Sequence, residues 1–212
     1  MTQPIDALIF DMDGTLWDAV DSYCAVWDAT FAQLGVTRPR VERDELLRLM
    51  GKPLAEIYDT IALGNRECHD RFLERLSENE REMMPRLGGR LYPGVKQTLD
   101  KLRDAGIKLF MVSNCSADGL DNFLDFTGLR AYFADALSFG ATSVDKDVNL
   151  RHLKDCYNLR RPVYVGDIQR DCDATHAAGM EFAWAAYGFG TAADPDFQID
   201  SFDQLQDLIY AK

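Results

Sequence analysis

Five stretches of the chain are apolar without alternation: "ALIF" (7–10), "IKLFMVS" (107–113), "ADALSF" (134–139), "PVYVGD" (162–167) and "EFAWAAY" (181–187). Continuous apolar runs of this length predict strands buried on both faces, as in a parallel sheet covered by helices. Between the later runs the period becomes helical. In "PGVKQTLDKLRDAG", Val95, Leu99 and Leu102 share one face, with Pro93 and Gly94 before them and Gly106 after. "KDVNLRHLKDCYNL" sets Leu150, Leu153 and Tyr157 at the same spacing. Strands alternating with helices predict an α/β fold built on a doubly wound, Rossmann-like parallel sheet.

One segment breaks that rhythm, because the stretch between the first two strand runs is mostly helical. "DAVDSYCAVWDATFAQLG" places Val20, Tyr23, Trp27, Phe31 and Leu34 along one apolar stripe. "ERDELLRLMG", "LAEIYDTIAL" and "HDRFLERLSENEREMM" add further amphipathic pieces. "RPR" at 38–40 reads as a loop and "PRLGGRLYPG" at 85–94 as a Gly/Pro linker. The expected division is an all-helical insertion over residues 17–88 on an α/β core of residues 1–16 and 89–212. Gly88 and Gly89 lie near the return hinge.

Composition narrows the partners. The formal net charge of −12, with no basic run to offset it, argues against nucleic acid and against anionic membrane surfaces. A small anionic substrate remains compatible, since one bound cation can invert the field in a cleft. The five cysteines are scattered, never C-x-x-C, and only three histidines are present, so no zinc-type cluster is legible. Reduced, mostly buried thiols are expected. No signal peptide or membrane span is read from the sequence, and a cytoplasmic location is the expectation. The assembly expected is a monomer or homodimer.

In open α/β sheets, ligands bind beyond the carboxyl ends of the strands. The first run delivers Asp11 and Asp13, the second Ser113 and Asn114, and the fourth Asp167 and then Asp171. Converging carboxylates need a cation, and hard oxygen ligands suit Mg²⁺. Two carboxylates flanking a turn can also take different roles, one as nucleophile and one as proton donor and acceptor. Thr15 is expected to open the next helix, whose free N–H groups would favour an anion. The "RLMGKPL" turn (48–54) could reach the substrate through Arg48 and Lys52, although a plain surface turn is the safer reading. Trp17, Tyr23 and Trp27 fit an apolar seam in the insertion, with Trp17 close enough to face substrate. His176 reads as a helix residue near the site.

"FDMDGTL" (10–16), "VSN" (112–114), Lys146 and "VGDIQRD" (165–171) follow one another in the order shown by the haloacid dehalogenase superfamily, which the chain resembles over essentially its whole length. The helical insertion matches that superfamily's C1-type cap, and the chain resembles its phosphoglycolate phosphatase group. The resemblance implies Asp11 as nucleophile and Mg²⁺ ligand. It implies Asp13 as general acid and base, with its main-chain carbonyl on the metal. Ser113, Asn114 and Lys146 would hold the phosphoryl group, while Asp167 and Asp171 would complete the metal site. Two positions depart from the family pattern. Lys146 is flanked by Asp145 and Asp147 instead of being followed by proline, which leaves Lys154 as an alternative. Ile168 stands where a small hydroxyl residue is common.

The implied function is Mg²⁺-dependent hydrolysis of a small phosphorylated metabolite, a phosphomonoester, through an aspartyl phosphate. A sugar-phosphate mutase of the β-phosphoglucomutase kind is the nearest alternative, since it also keeps both aspartates. Thr15 leans toward the phosphatases, whose motif reads "DGT" where the mutases have "DGV". A non-enzymatic phosphate-ligand binding protein would be expected to lose one of these aspartates, and all are present.

Overall fold

The computed structural model describes residues 4–52, 54–62 and 69–210. Strand β1 (Ala7–Phe10) is fully buried along its length. Ala7 and Ile9 face one apolar cluster with Phe110, Val112, Tyr164 and Phe182. Leu8 and Phe10 face the other with Leu109, Met111, Val163 and Val165. That two-sided burial is why the run is apolar without alternation.

β4 (Lys108–Ser113) and β6 (Pro162–Gly166) flank β1, with β5 (Asp135–Ser138) beyond β4. β7 (Glu181–Ala185) and β8 (Phe197–Ile199) lie beyond β6. The order is β5-β4-β1-β6-β7-β8, and every pairing is parallel. Phe10 pairs with Met111 on one side and Val165 on the other, so Asp11, Ser113 and Asp167 emerge from neighbouring strand ends. The chain runs outward from β1 to β4 and β5, then crosses to β6, which makes β1 the switch point where a crevice opens. Helices α5 (Val95–Asp104) and α6 (Ala117–Thr127) cover one face with Val95, Leu99, Leu102 and Phe123. α8 (Lys146–Cys156) and α9 (Gln169–Ala177) cover the other with Leu150, Leu153 and Cys172. The short α7 (Phe139–Thr142) follows β5, and α10 (Leu205–Tyr210) closes the described chain.

The five expected strands are present, and the sixth, β8, went unpredicted because three residues carry too little periodicity to read. Two further corrections concern the helical insertion. The expected linker at 85–94 is helix through Leu87, with Pro85 inside the helix, and then strand β3 (Arg90–Leu91). β3 pairs antiparallel with β2 (Trp17–Asp18), so a two-stranded ribbon joins the crossings into and out of the insertion. Gly89 is required there, because a Cβ would lie 2.6 Å from the Trp17 ring and 2.9 Å from the Asp18 carbonyl oxygen.

The helical cap comprises α1 (Val20–Gln33), α2 (Arg43–Leu47), α3 (Leu54–Ile61) and α4 (His69–Leu87). Its core is aromatic: Phe72 is fully buried, 4.5 Å from Phe31, 4.8 Å from Tyr58 and 5.0 Å from Trp27 between ring centroids. Asn79 crosses from α4 to α1 by donating to Thr30 Oγ1 at 2.8 Å and Gln33 Oε1 at 3.1 Å. Among the described cysteines all four are free; Cys24 and Cys172 are buried, Cys115 is half-buried and Cys156 is exposed. Cys68, like Pro53 of the 48–54 turn, lies outside the described residues.

Candidate active site

Asp11 follows β1 directly, and its N–H donates to the Val165 carbonyl at 2.9 Å, which extends the ladder by one residue and fixes the carboxylate at the crevice. Lys146, the first residue of α8, reaches across the strand ends. Its Nζ lies 3.0 Å from Asp11 Oδ1 and 2.6 Å from Asp171 Oδ1, with the Tyr164 ring 5.3 Å away. The flanking acids do not compete for it, since Asp147 pairs with Arg151 at 2.5 Å and Asp145 is exposed. Lys154, the alternative lysine, bonds instead to the Gly179 carbonyl at 3.0 Å.

Asp11, Asp167 and Asp171 bring carboxylate oxygens within 4.8 Å of one another, and all three are buried. Asp171 uses both its oxygens within the protein: Oδ1 accepts from Lys146, and Oδ2 accepts from the N–H groups of Asp167 at 3.1 Å and Ile168 at 3.3 Å. It therefore closes the first turn of α9 and anchors the lysine. Asp167 Oδ2 accepts from the Phe189 N–H at 2.7 Å. Gly14, at φ +79°, lies against this carboxylate, and a Cβ there would sit 2.1 Å from Asp167 Oδ2.

Three buried carboxylates face one ammonium, and the imbalance appears in the proton affinities of Asp11 and Asp167. Burial raises Asp11 to about 6; Lys146 pulls it down and Asp171 pushes it up. Burial, then Asp171 and Asp11, hold Asp167 well above the usual carboxylate range. Burial opposes the charge on Lys146, but Asp11 and Asp171 outweigh it and raise its pKa. An all-oxygen donor set with excess negative charge fits a hard divalent cation, and Asp11, Asp167 and Asp171 together could hold one.

Asp13 lies outside that triad. Trp17 Nε1 donates to its Oδ1 at 3.0 Å, and the Tyr23 hydroxyl donates at 3.2 Å. Burial and the Asp11 charge push Asp13 up to about 8, against those hydrogen bonds. Trp17 is 1% exposed, packs edge-on against Phe123 at 4.9 Å and does not line the cavity, so the expectation that it faces substrate is corrected. Tyr23 and Trp27, read from sequence only as a seam, do line it. Thr15 does not open a helix, because residues 12–17 form a tight turn. The Leu16 and Trp17 N–H groups donate to the Met12 carbonyl at 2.9 and 3.2 Å, and α1 begins only at Val20.

One cavity of about 170 Å³ contains Asp11, Asp13, Ser113, Asn114, Lys146 and Asp167 among its lining residues. Ser113 is buried and its Oγ accepts from the Cys115 N–H at 3.4 Å, while Asn114 is exposed. From the cap turn, Lys52 lines the cavity and Arg48, an exposed residue, does not. The turn is held to the core where Arg170 Nη1 donates to the Gly51 carbonyl at 2.9 Å. Ile168 lines the cavity beside it, so the departure from a hydroxyl residue places an apolar contact under the cap. Sequence reasoning missed Glu80, Asn122 and Phe189, which come from separate elements with no shared motif.

The model of the haloacid dehalogenase-like hydrolase family matches residues 8–185. The chain belongs to this family. A phosphoglycolate phosphatase of Vibrio vulnificus is 29% identical over 98% of this chain and 97% of its own length. Another, of Agrobacterium fabrum, is 30% identical over 100% of this chain and 95% of its own. The fold is shared with a predicted phosphoglycolate phosphatase from Haemophilus somnus, at a TM-score of 0.86 and 21% identity, covering 98% of this chain and 99% of that one. It is also shared with a haloacid dehalogenase-like hydrolase from Streptococcus pneumoniae, at a TM-score of 0.81 and 19% identity over 97% and 98% of the two chains. The chain is a phosphoric monoester hydrolase of this family. No helix among the described residues is long and apolar enough to cross a membrane.

Proposed function

We propose that the chain is a Mg²⁺-dependent phosphatase that hydrolyses a small phosphomonoester through an aspartyl phosphate on Asp11. The observation that carries this reading is Lys146 bridging Asp11 at 3.0 Å and Asp171 at 2.6 Å on the floor of the cavity, beside Asp167. Asp11, Asp167 and Asp171 would hold the cation, which when bound offsets carboxylate and phosphate charge. Asp171 also orients Lys146 and the 167–168 turn.

In the first half-reaction an Asp11 oxygen forms a bond to phosphorus while the ester P–O bond breaks. Asp13 gives its proton to the departing alcohol oxygen. In the second, water attacks the same phosphorus, Asp13 takes back a proton, and phosphate leaves Asp11 intact. Trp17 and Tyr23 hold the Asp13 carboxyl in one orientation through both halves. Lys146 keeps Asp11 ionised and in line, and Ser113 and Asn114, which line the same cavity, would meet the phosphoryl oxygens. The cap, residues 17–88, acts as a lid over the core of residues 1–16 and 89–212 and excludes bulk water.

The test is phosphate release from a panel of phosphomonoesters with Mg²⁺. Asp11→Asn is expected to abolish turnover, and Asp13→Asn to lower it by about 10²–10⁴-fold. Full activity of Asp11→Asn, or indifference to EDTA, would refute the mechanism.

A further inference from the structure

The cap is fastened to the core on the side of the sheet that α6 covers. There Trp17 of the β2–β3 ribbon packs edge-on against Phe123 at 4.9 Å, and Arg81 of α4 pairs with Asp118 at 2.8 Å. Gly88, just past the end of α4, lies so close to Phe126 that a Cβ on it would be 2.0 Å from the ring. α9 covers the opposite face of the sheet, and the cap meets its start with the 48–52 turn. The turn therefore reaches across the crevice above β1, to the side away from the connecting ribbon.

Ile168 and Arg170 receive the turn. Arg170 Nη1 donates to the Gly51 carbonyl at 2.9 Å. Ile168 fills the space beside Gly51, where a Cβ would lie 2.2 Å from Ile168 Cδ1 and 3.7 Å from its Cγ1. That packing leaves no room for a side chain at 51, and the φ of +79° there favours glycine as well. The core holds Ile168 from behind. Its Cγ2 packs against Gly190, where a Cβ would lie 2.8 Å away, and its N–H donates to Asp171 Oδ2 at 3.3 Å. Gly51, Lys52 and Ile168 line the cavity together with Asp167, so this contact forms part of the cavity wall.

We infer that Ile168 and Arg170 latch the cap turn shut over the cavity, and that this latch sets how large a leaving alcohol the site accepts. The contact is one methyl group packed on a glycine and one hydrogen bond open to water. Each is weak enough to break and re-form within a turnover, as a lid requires. A leaving group that fits beneath the turn is enclosed when the latch closes. One that protrudes holds the turn away and takes no benefit from it. Ile168 and Arg170 are positioning residues, since both act through the seating of the cap. The latch stands on the geometry alone, and its consequence for leaving groups rests on the phosphatase reading.

The test labels the protein with N-ethylmaleimide and reads each cysteine by peptide mass spectrometry. Cys115 lines the cavity beneath the cap, Cys156 is exposed, and Cys24 of α1 and Cys172 of α9 are buried. Ile168→Val deletes the Cδ1 methyl that faces Gly51, and it should speed Cys115 labelling about fivefold, the effect of one packed methyl group. Arg170→Ala should speed it about threefold, as suits a hydrogen bond open to water. Cys24, Cys156 and Cys172 should keep their wild-type rates. Gly51→Ala should open the cap further than either variant. Adding Ile168→Val should reverse part of that opening, because the carbon left at the Cγ1 position lies 3.7 Å from the new Cβ, an ordinary contact. With Mg²⁺, the kcat/KM ratio of 2-naphthyl phosphate to methyl phosphate should rise about fivefold in Ile168→Val, since only the small ester loses closure. Unchanged Cys115 labelling in both single variants, equal acceleration at Cys24 or Cys172, or no rescue of Gly51→Ala by Ile168→Val overturns the latch. An ester ratio unmoved by Ile168→Val overturns its role in leaving-group size. Absence of turnover toward both esters overturns the phosphatase reading, and the labelling then judges the latch alone.

Discussion

Replacing Lys146 by Met would leave two buried carboxylates facing each other with no cation between them. The Lys146 side chain is 6% exposed, and those of Asp11 and Asp171 are 11% and 1%. Solvent therefore screens this triad little, and the surface-pair discount does not apply. Removing one partner of a buried pair costs about 3–5 kcal/mol, because the remaining charge loses its compensation. For a chain of 212 residues that converts to a fall in Tm of about 6–20 °C. The assay is thermal unfolding by circular dichroism at pH 8 in EDTA, wild type against Lys146→Met. Two controls identify the cause. The gap should narrow at pH 5, where Asp11, already raised to about 6, takes up a proton, and Mg²⁺ should restore part of the loss by supplying positive charge at the same oxygens. A variant that melts within about 2 °C of wild type at pH 8 in EDTA would refute the claim that this lysine neutralises the site.

Trp17→Phe removes the indole donor 3.0 Å from Asp13 Oδ1 while keeping an aromatic ring against Phe123. Loss of about 1.5 kcal/mol of orientation predicts a kcat roughly tenfold lower with KM little changed, read by steady-state phosphate release. The metal-free protein should also lose stability as pH rises from about 4 to about 8. Asp11 and Asp13 are raised to about 6 and about 8, so in that window the folded state binds more protons than the unfolded state and ∂ΔG/∂pH is negative. Urea unfolding in EDTA across that range checks the sign, and a stability that climbs from pH 5 to pH 8 would contradict it.

The strand ends were legible because apolar runs end abruptly where polar residues begin, and parallel sheets gather such ends on one edge. Asp11, Ser113 and Asp167 could therefore be picked out by position. Trp17 and Tyr23 could not be sorted by the same means. Both lie on the apolar stripe leading into α1, but the β2–β3 ribbon turns Trp17 under Phe123 and leaves Tyr23 facing the cavity. Arg48 and Lys52 sit in one turn, and only its docking on Arg170 and Ile168 determines that Lys52 borders the cavity. Asp171 illustrates the same point. Its spacing marks it as a metal ligand or a helix cap, and only the fold shows that it also accepts from Lys146 and from the N–H groups of Asp167 and Ile168.

What the sequence determined by itself was the alternation of buried strands and helices, the helical interruption after the first strand, and the carboxylates at strand ends. These are consequences of local periodicity and chain connectivity, which act over a few residues and survive any packing. The tertiary structure alone decided that β1 is central, that Lys146 and not Lys154 meets Asp11, and that Gly51 of the cap meets Ile168 and Arg170 of the core. Those facts depend on side chains separated by as many as 135 positions along the chain. Only the closure of the sheet and the seating of the cap bring such residues within hydrogen-bond reach.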